Sequence, residues 1–430
     1  MPAERYDVLV VGAGPGGLVA AATAAAYGAR VGLVDLQPRA GGQIWRHDLH
    51  RGAPQAAQTR IAAVERSGVA IRYGCQVVDG DGKEVLVEGG EGARRVGFGS
   101  LILATGAREL LLPFPGWTLP GVSGAGGLQA LTKQGCPVAG KRVVVAGSGP
   151  LLLAAAATLH SHGAKVAGVF EQASLRAVSA FARRLWRWPA RAAQAARLRW
   201  QLRSVDYHCG RVVCAAHGED ALRLLEIEDE GGRVQRIDCD LLAVGYGLVP
   251  NVELAALMGC ALEPWGAHSR VRVDSHQRTS VPCVYAVGEA CGIGGLQPAL
   301  VEGAIAAHAA LGHPSEAGAL LGRRDRARQY AAAVDESFAL GARVRALATS
   351  DTVICRCEDV PLSALGDFAE ARAAKLATRC GMGACQGRIC GAALAELGRL
   401  QPYLPRLPLF PARLDTLAIA PTFDSDGAIA

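Results

Sequence analysis

Five of the thirteen cysteines crowd into residues 355–390. Cys355-Arg356-Cys357 is followed, after 22 residues, by Cys380-Gly381-Met382-Gly383-Ala384-Cys385-Gln386-Gly387-Arg388-Ile389-Cys390. Four thiolates are what a [2Fe–2S] cluster or a structural zinc ion takes. The Cys-x-Cys pair places two sulfurs within one metal-binding span. The glycines of the second group let the backbone wrap an ion and aim N–H groups at sulfur. Spacing alone leaves iron and zinc both open. The other eight cysteines stand singly between Cys75 and Cys291 and read as small buried apolar residues. Residues 41–50 and 137–208 contain no cysteine, so thiol–disulfide exchange beside either glycine turn described next is not expected.

Two glycine turns carry the second kind of chemistry. The run Tyr6–Val11 reads as a strand, Gly12-Ala13-Gly14-Pro15-Gly16-Gly17 as a tight turn into a helix, and Val31–Asp35 as a second strand ending in an acid. This is the dinucleotide fingerprint in its required context. Gly12 permits the turn, Gly14 lets the backbone approach a pyrophosphate, Gly17 lets the helix pack on the sheet, and Asp35 is placed to bond a ribose. The helix N-terminus offers N–H groups to phosphate. A second unit repeats the pattern: strand Arg142–Ala146, turn Gly147-Ser148-Gly149-Pro150-Leu151-Leu152, a helix, and a strand ending in Glu171. Its third glycine is replaced by Leu152, which is expected to push the helix off the sheet or to re-aim its N-terminus. NAD(P)H reduction through this unit is therefore doubtful from the sequence.

Three further segments resemble those of two-dinucleotide-domain flavoproteins. They are Gly41-Gly42-Gln43-Ile44, Leu101–Ala107 with its Ala104-Thr105-Gly106 end, and Val284–Ala290, where Glu289 stands in place of the usual aspartate. The resemblance implies FAD at the first unit, held by Gly12, Gly14, Pro15, Gly17, Asp35, Gly42, Gln43, Val77, Ala104, Thr105, Gly106, Gly288 and Glu289. Residues Ile354–Val360 with Thr378–Cys390 resemble the bacterioferritin-associated-ferredoxin-like [2Fe–2S] module. On that resemblance the ligands are Cys355, Cys357, Cys385 and Cys390, with Cys380 a spare. Over residues 5–415, including Arg108–Trp117 and Gly147–Leu153, the chain resembles the FAD-containing α-type subunits of heteromeric dye-linked dehydrogenases. These include the corresponding subunits of octopine and nopaline oxidases and of hydrogen cyanide synthase, and the α subunits of D-hydroxyproline and L-proline dehydrogenases. Leucine at the third-glycine position is usual there. A second nucleotide, ATP or NAD(P), at Gly147, Gly149, Pro150 and Glu171 is what the family allows. The resemblance also implies a flavin-containing β-type amine-oxidising partner, a small ferredoxin-like subunit, and an electron-relaying role on a C–N dehydrogenase. Two readings compete with it: a stand-alone NAD(P)H-dependent reductase of an iron–sulfur protein, and a non-catalytic assembly subunit.

These residues require an α/β chain: two Rossmann-like dinucleotide-binding domains and a small C-terminal cysteine module. The expected division is 1–120 and 248–320 for the FAD domain, 121–247 for the second domain, 321–345 for a charged linker, 346–400 for the module, and 401–430 for a Pro-rich tail. Proline excludes the tail from central strands and long helices, leaving a disordered segment or an arm lying on a neighbour. Half of the 430 residues are hydrophobic, ample for several cores. No apolar run reaches the roughly 20 residues of a membrane span, and no signal peptide is evident. A cytoplasmic location is expected, with contact at the inner membrane face as the variant. The net charge of +6 is modest and gives no reason to expect a nucleic-acid partner. One stretch stands apart. Arg183–Arg203 holds seven arginines, three tryptophans and no acid, and reads as either a solvated helix face or a docking surface.

Overall fold

The computed structural model describes residues 4–368, 370–401 and 406–419. Strand β1 (Glu4–Val11) enters the chain's first sheet at once, because Val8, Leu9 and Val10 are apolar on both faces and fully buried. It lies between β2 (Val31–Asp35) and β6 (Gly92–Leu103), both parallel to it. Beyond β2 runs β3 (Ala70–Tyr73), and β4 (Gln76–Gly80) and β5 (Glu84–Gly89) extend the other edge in antiparallel fashion. Val284–Ala286 adds a further strand, parallel to the end of β6. Continuous apolar runs of this kind are what a sheet covered on both faces needs.

Helix α1 (Pro15–Ala26) covers one face together with the helix Leu296–Ala310. The two approach closely because both carry glycine at the crossing. A side chain at Gly303 would collide with the carbonyl oxygen of Gly16.

The second sheet is wholly parallel, in the order 207–209, 165–171, 142–147, 241–245, 122–124. A three-stranded antiparallel sheet (212–217, 224–228, 234–238) packs beside it. The fold is thus the expected α/β pair of Rossmann-like sheets. The Cys-x-Cys pair sits on a small antiparallel hairpin, Val353–Cys355 with Val360–Pro361. The helices Ala371–Thr378 and Cys390–Glu396 close a separate apolar cluster around it.

Three expectations need correction. Leu152 does not push its helix off the sheet. It is fully buried in one apolar cluster with Val143, Val145 and Ala243 of the sheet. Only the re-aiming is seen. Gly14 is extended, with φ −72°, whereas Gly149 has φ +93°, and the helix Leu151–Ser161 starts one position later relative to its turn than α1. The tail, as far as it is described, is neither free of contacts nor without an internal partner, because it bonds its own chain. The Leu409 amide donates to the Val78 carbonyl, Gln76 to the Pro411 carbonyl, and the Arg413 amide to Glu88. Residues 402–405 and 420–430 of that tail fall outside the described residues. Finally, the single cysteines are not uniformly buried: Cys239, Cys260 and Cys291 are, but Cys283 is exposed.

Candidate functional site

The first glycine turn bonds its Gly12 and Ala13 amides within the chain and leaves the start of α1 uncapped. No side chain caps α1 at Gly14, and Pro15 at its first position has no N–H to satisfy. Gly12 has φ +107°, and a side chain there would strike the Ala104 carbonyl. One at Gly17 would strike Gly12. At Gly14 the nearest atom is the Cα of another glycine, Gly42, at 4.0 Å, so only a bound group has a claim on that space. The Gly41 amide donates to Ala13 O at 2.8 Å, which holds the Gly-Gly loop against the fingerprint turn. Asp35 accepts from the amides of Ala13 and Gln37, and burial pushes its carboxyl up, with those two amides opposing. Val77 is buried on β4, two residues after the turn whose Cys75 amide donates to the Asp35 carbonyl at the end of β2. This cradle fits the adenosine and pyrophosphate of a dinucleotide.

At the other end of the cradle, Thr105 and Asn251 are bonded reciprocally. The Thr105 hydroxyl donates to Asn251 O at 2.7 Å, and the Asn251 side chain donates to Thr105 O at 2.9 Å. The Gly288 amide donates to the buried carboxylate of Glu302 at 2.9 Å, and Arg328 donates to the same carboxylate at 2.8 Å. Glu289 faces the Gly295 amide at the start of the Leu296–Ala310 helix, and burial pushes its carboxyl up. Gln43 is the outlier: its side chain is exposed and accepts from Arg46 at 2.7 Å. Sequence reasoning missed Asn251, Glu302 and Arg328. Their roles depend on contacts across 146, 14 and 26 residues, which no local pattern reports.

The five clustered cysteines converge. The sulfurs of Cys355, Cys380 and Cys390, all buried, lie within 4.8 Å of one another. Cys385 reaches hydrogen-bond range of Cys390 and of Cys357. Its thiol is pushed down to about 4, first by the hydrogen bond from Cys390, against the opposing effect of burial. Cys390, the donor to Cys380 and Cys385, is pushed up. A group of sulfurs in which some are held as thiolate by others is what a soft metal centre presents before loading. A side chain at Gly383 would collide with Cys357, so this glycine lets the loop close over the Cys-x-Cys hairpin. The donor set fits a four-sulfur iron or zinc centre, with one sulfur beyond the requirement. Cys380, the expected spare, lies in the same 4.8 Å group as Cys355 and Cys390.

Arg108 joins the two sites. From the strand following Gly106, its guanidinium meets Glu253 at 2.8 Å and Asn251 Oδ1 at 2.9 Å, and its Nε donates to the Arg388 carbonyl at 3.2 Å, between Cys385 and Cys390. On the module's far side, His268 lies 3.2 Å from Glu396, and both are nearly buried. A cavity of about 550 Å³ lies between these contacts, lined by Arg108, His268, Cys380, Cys390 and Leu409 among others.

The comparisons with known proteins agree with this architecture. The model of the pyridine nucleotide-disulphide oxidoreductase family matches residues 6–310. The chain belongs to that family. It is an FAD-dependent oxidoreductase carrying a C-terminal cysteine cluster. It is similar to the hydrogen cyanide synthase subunit HcnB of Pseudomonas protegens, 33% identical over 419 residues, covering 89% of each chain. It is also similar to an opine oxidase subunit of Rhizobium meliloti, 34% identical over 430 residues, covering 91% of this chain and 92% of that one. Among solved structures, L-proline dehydrogenase from P. horikoshii shares the fold, with a TM-score of 0.65 and 18% identity over 97% of this chain and 81% of the other.

Among the described residues, no helix is long and apolar enough to cross a membrane. The Arg183–Arg203 stretch forms a short 3-10 turn and the helix Pro189–Gln201 after the helix Leu175–Arg184. Trp188 packs edge-on against Tyr330, and Arg184 pairs with Glu336 at 2.7 Å, so part of the stretch is structural. Trp186 and Trp200 remain 79% and 70% exposed.

Proposed function

We propose that the chain is the electron-transfer subunit of a heteromeric dehydrogenase acting on the C–N bond of an amino acid, imino acid or opine. A flavin-containing β-type subunit removes two electrons from the substrate. This chain receives them and passes them toward an acceptor, and a small ferredoxin-like subunit is a further partner. FAD accepts electrons in pairs and a [2Fe–2S] cluster passes them singly, so a chain holding both converts one regime into the other. The relatives are named as subunits of an opine oxidase and of a hydrogen cyanide synthase, which supports a multi-subunit redox assembly.

The observation that carries the reading is the Arg108 contact. It fastens the cysteine loop to the strand that leaves the flavin cradle, so the two redox sites share one rigid seam. In this reading Gly12, Gly14, Pro15, Gly17, Asp35, Gly42, Ala104–Gly106, Gly288 and Glu289 hold FAD, and the module holds iron through Cys355, Cys357, Cys385 and Cys390. The chain's own groups supply orientation. Glu302 and Arg328 set the Gly288 turn, and of the four sulfurs Cys355 and Cys390 are buried, Cys385 is half-buried and Cys357 is exposed.

The test combines metal analysis with partner-dependent reduction. Anaerobically prepared protein is expected to contain iron and sulfide and to become EPR-active on one-electron reduction. Co-expressed with its β-type subunit, it is expected to show flavin bleaching on addition of an imino acid or opine. Stoichiometric zinc without iron would refute the cluster. Unaided oxidation of such a substrate by the isolated chain would refute the relay. Serine substitutions settle the ligands. Retention of the cluster in Cys390→Ser with its loss in Cys380→Ser replaces the ligand set given above.

A further inference from the structure

The second glycine turn is covered by the chain itself. After the helix Leu321–Ser337, residues 338–341 cross the carboxyl ends of strands Arg142–Gly147 and Lys165–Glu171. In doubly wound folds that crevice is where a dinucleotide lies. The Ser148 hydroxyl, inside the turn, donates to Phe338 O at 2.8 Å. Gln172, next to the terminal acid of its strand, grips the segment twice. Its Nε2 donates to Ala339 O at 3.0 Å, and its Oε1 accepts from the Gly341 amide at 3.2 Å. The same Nε2 also donates to Ser148 at 3.0 Å, so turn, strand end and crossing segment form one network.

Where the first turn faces the bare Cα of Gly42, the second faces the side chain of Phe338, 3.8 Å from the Cβ position of Gly149. Phe338 is held edge-on by Phe181 at 5.1 Å. Just beyond, Val344 is buried, and Arg343 donates to the Asp229 carbonyl at 2.8 Å and to Glu228 at 3.1 Å. The segment is therefore tied at both ends and in the middle. The acid is also withdrawn. Glu171 has no exposed surface and accepts from the amides of Gly149 and Ala173 at 2.7 and 2.8 Å.

We propose that Phe338–Gly341 is a built-in strap that determines the flavin's electron source, by occupying the pyrophosphate seat of the second unit and so excluding NADH and NADPH. The strap rests on the flavin reading above and deepens it: with that seat filled by protein, reducing equivalents reach the flavin from another protein. Every group in the strap that meets the turn is backbone or apolar, so it presents no charge with which to recognise a phosphate.

The experiment uses the full FAD-loaded chain under anaerobic conditions. Mixed with excess NADH or NADPH in a stopped-flow instrument, its flavin absorbance is expected to stay unchanged, while dithionite bleaches it. Hydrogen exchange is expected to show the Gly341 amide, which donates to Gln172, protected. The double substitution Phe338→Gly with Gln172→Ala is expected to raise its exchange about ten-fold or more, the factor for losing one to two net hydrogen bonds. It is also expected to give calorimetrically detectable NADH or NADPH binding. Should that variant fold poorly, Ser148→Ala with Gln172→Ala opens the strap without touching the aromatic contact.

Saturable flavin bleaching by NADH or NADPH in the unmodified chain overturns the proposal, as does free exchange of the Gly341 amide. A strap shown open by exchange that still admits neither nucleotide also overturns it, because the exclusion would then belong to the re-aimed helix. None of these outcomes involves the β-type subunit. Failure of the strap is therefore distinct from failure of the relay, which is read from substrate-driven reduction in the complex.

Discussion

Replacing Arg108 with methionine tests the seam between the two redox sites. Methionine keeps most of the volume and removes the fork of donors. Lost with it are the 2.8 Å pair with Glu253, the 2.9 Å bond to Asn251 Oδ1 and the 3.2 Å bond to the Arg388 carbonyl. The side chains of Arg108 and Glu253 are 21% and 19% exposed, intermediate between two regimes. Exposed pairs contribute about 0–1 kcal/mol, and breaking a fully buried one costs about 3–5 kcal/mol. Of the three contacts only the Arg388 bond crosses to the module, and a hydrogen bond to a charged group contributes about 1.5–3 kcal/mol, so a cost of about 2 kcal/mol is expected for docking of the module, which lowers its closed-to-open ratio roughly 30-fold. The core clusters of the two nucleotide units do not use Arg108, so flavin content and the main unfolding transition are expected to stay near those of the parent chain. Hydrogen exchange is the assay. Amides in 353–355 and 390–396 are expected to exchange faster by that factor, while those of β1 and β6 do not change. Arg108→Lys is expected to recover only part of the protection, because an ammonium cannot reach Glu253 and the Arg388 carbonyl with a planar fork. Equal exchange in Arg108→Met and the parent chain would refute the idea that this residue fastens the module.

The two central glycines of the first turn are expected to fail differently. At Gly14 a Cβ would meet nothing nearer than Gly42, at 4.0 Å, so Gly14→Val should fold yet purify colourless, as absorbance and circular dichroism would show. Gly17→Ala collides with Gly12 and should lower the melting temperature as well. The Glu396 carboxyl is held below its ordinary value, first by the hydrogen bond with His268. Its stabilising contribution is therefore full above the unfolded value of about 4.5 and is lost as pH falls through the lowered folded value. Glu396→Gln should flatten the acid limb of a melting-temperature profile in that window, and an unchanged limb would dismiss the pair as an acid-sensitive contact. Trp186→Ala and Trp200→Ala should leave the stability of the isolated chain within about 0.5 kcal/mol, as expected of exposed positions, and weaken co-elution with the β-type subunit. Unaltered co-elution would place the interface elsewhere.

The chemistry-bearing residues were legible in the sequence because each motif is local. A glycine turn between a strand and a helix declares its own geometry, and so does a run of cysteines with glycines between them. Gly12, Gly14, Gly17 and Asp35 could be found that way, as could the existence of a cysteine-rich centre. The tertiary structure decided what those motifs face. Leu152 looks like a defect in the chain, yet it is fully buried in one apolar cluster with Val143, Val145 and, from a strand far along the chain, Ala243. Gly147 and Gly149 look like a nucleotide turn, yet Phe338 crosses them from a segment 190 residues beyond Ser148. Cys380 is the odd sulfur on the family resemblance, yet the fold brings it within the same 4.8 Å group as Cys355 and Cys390. The tail looks unpartnered because proline removes its regular hydrogen-bonding pattern, and its acceptors on β4 and β5 are set only when the sheet edge forms. Periodicity and turn chemistry act over a few residues, whereas which sites stay open to a ligand depends on contacts between segments far apart in the chain.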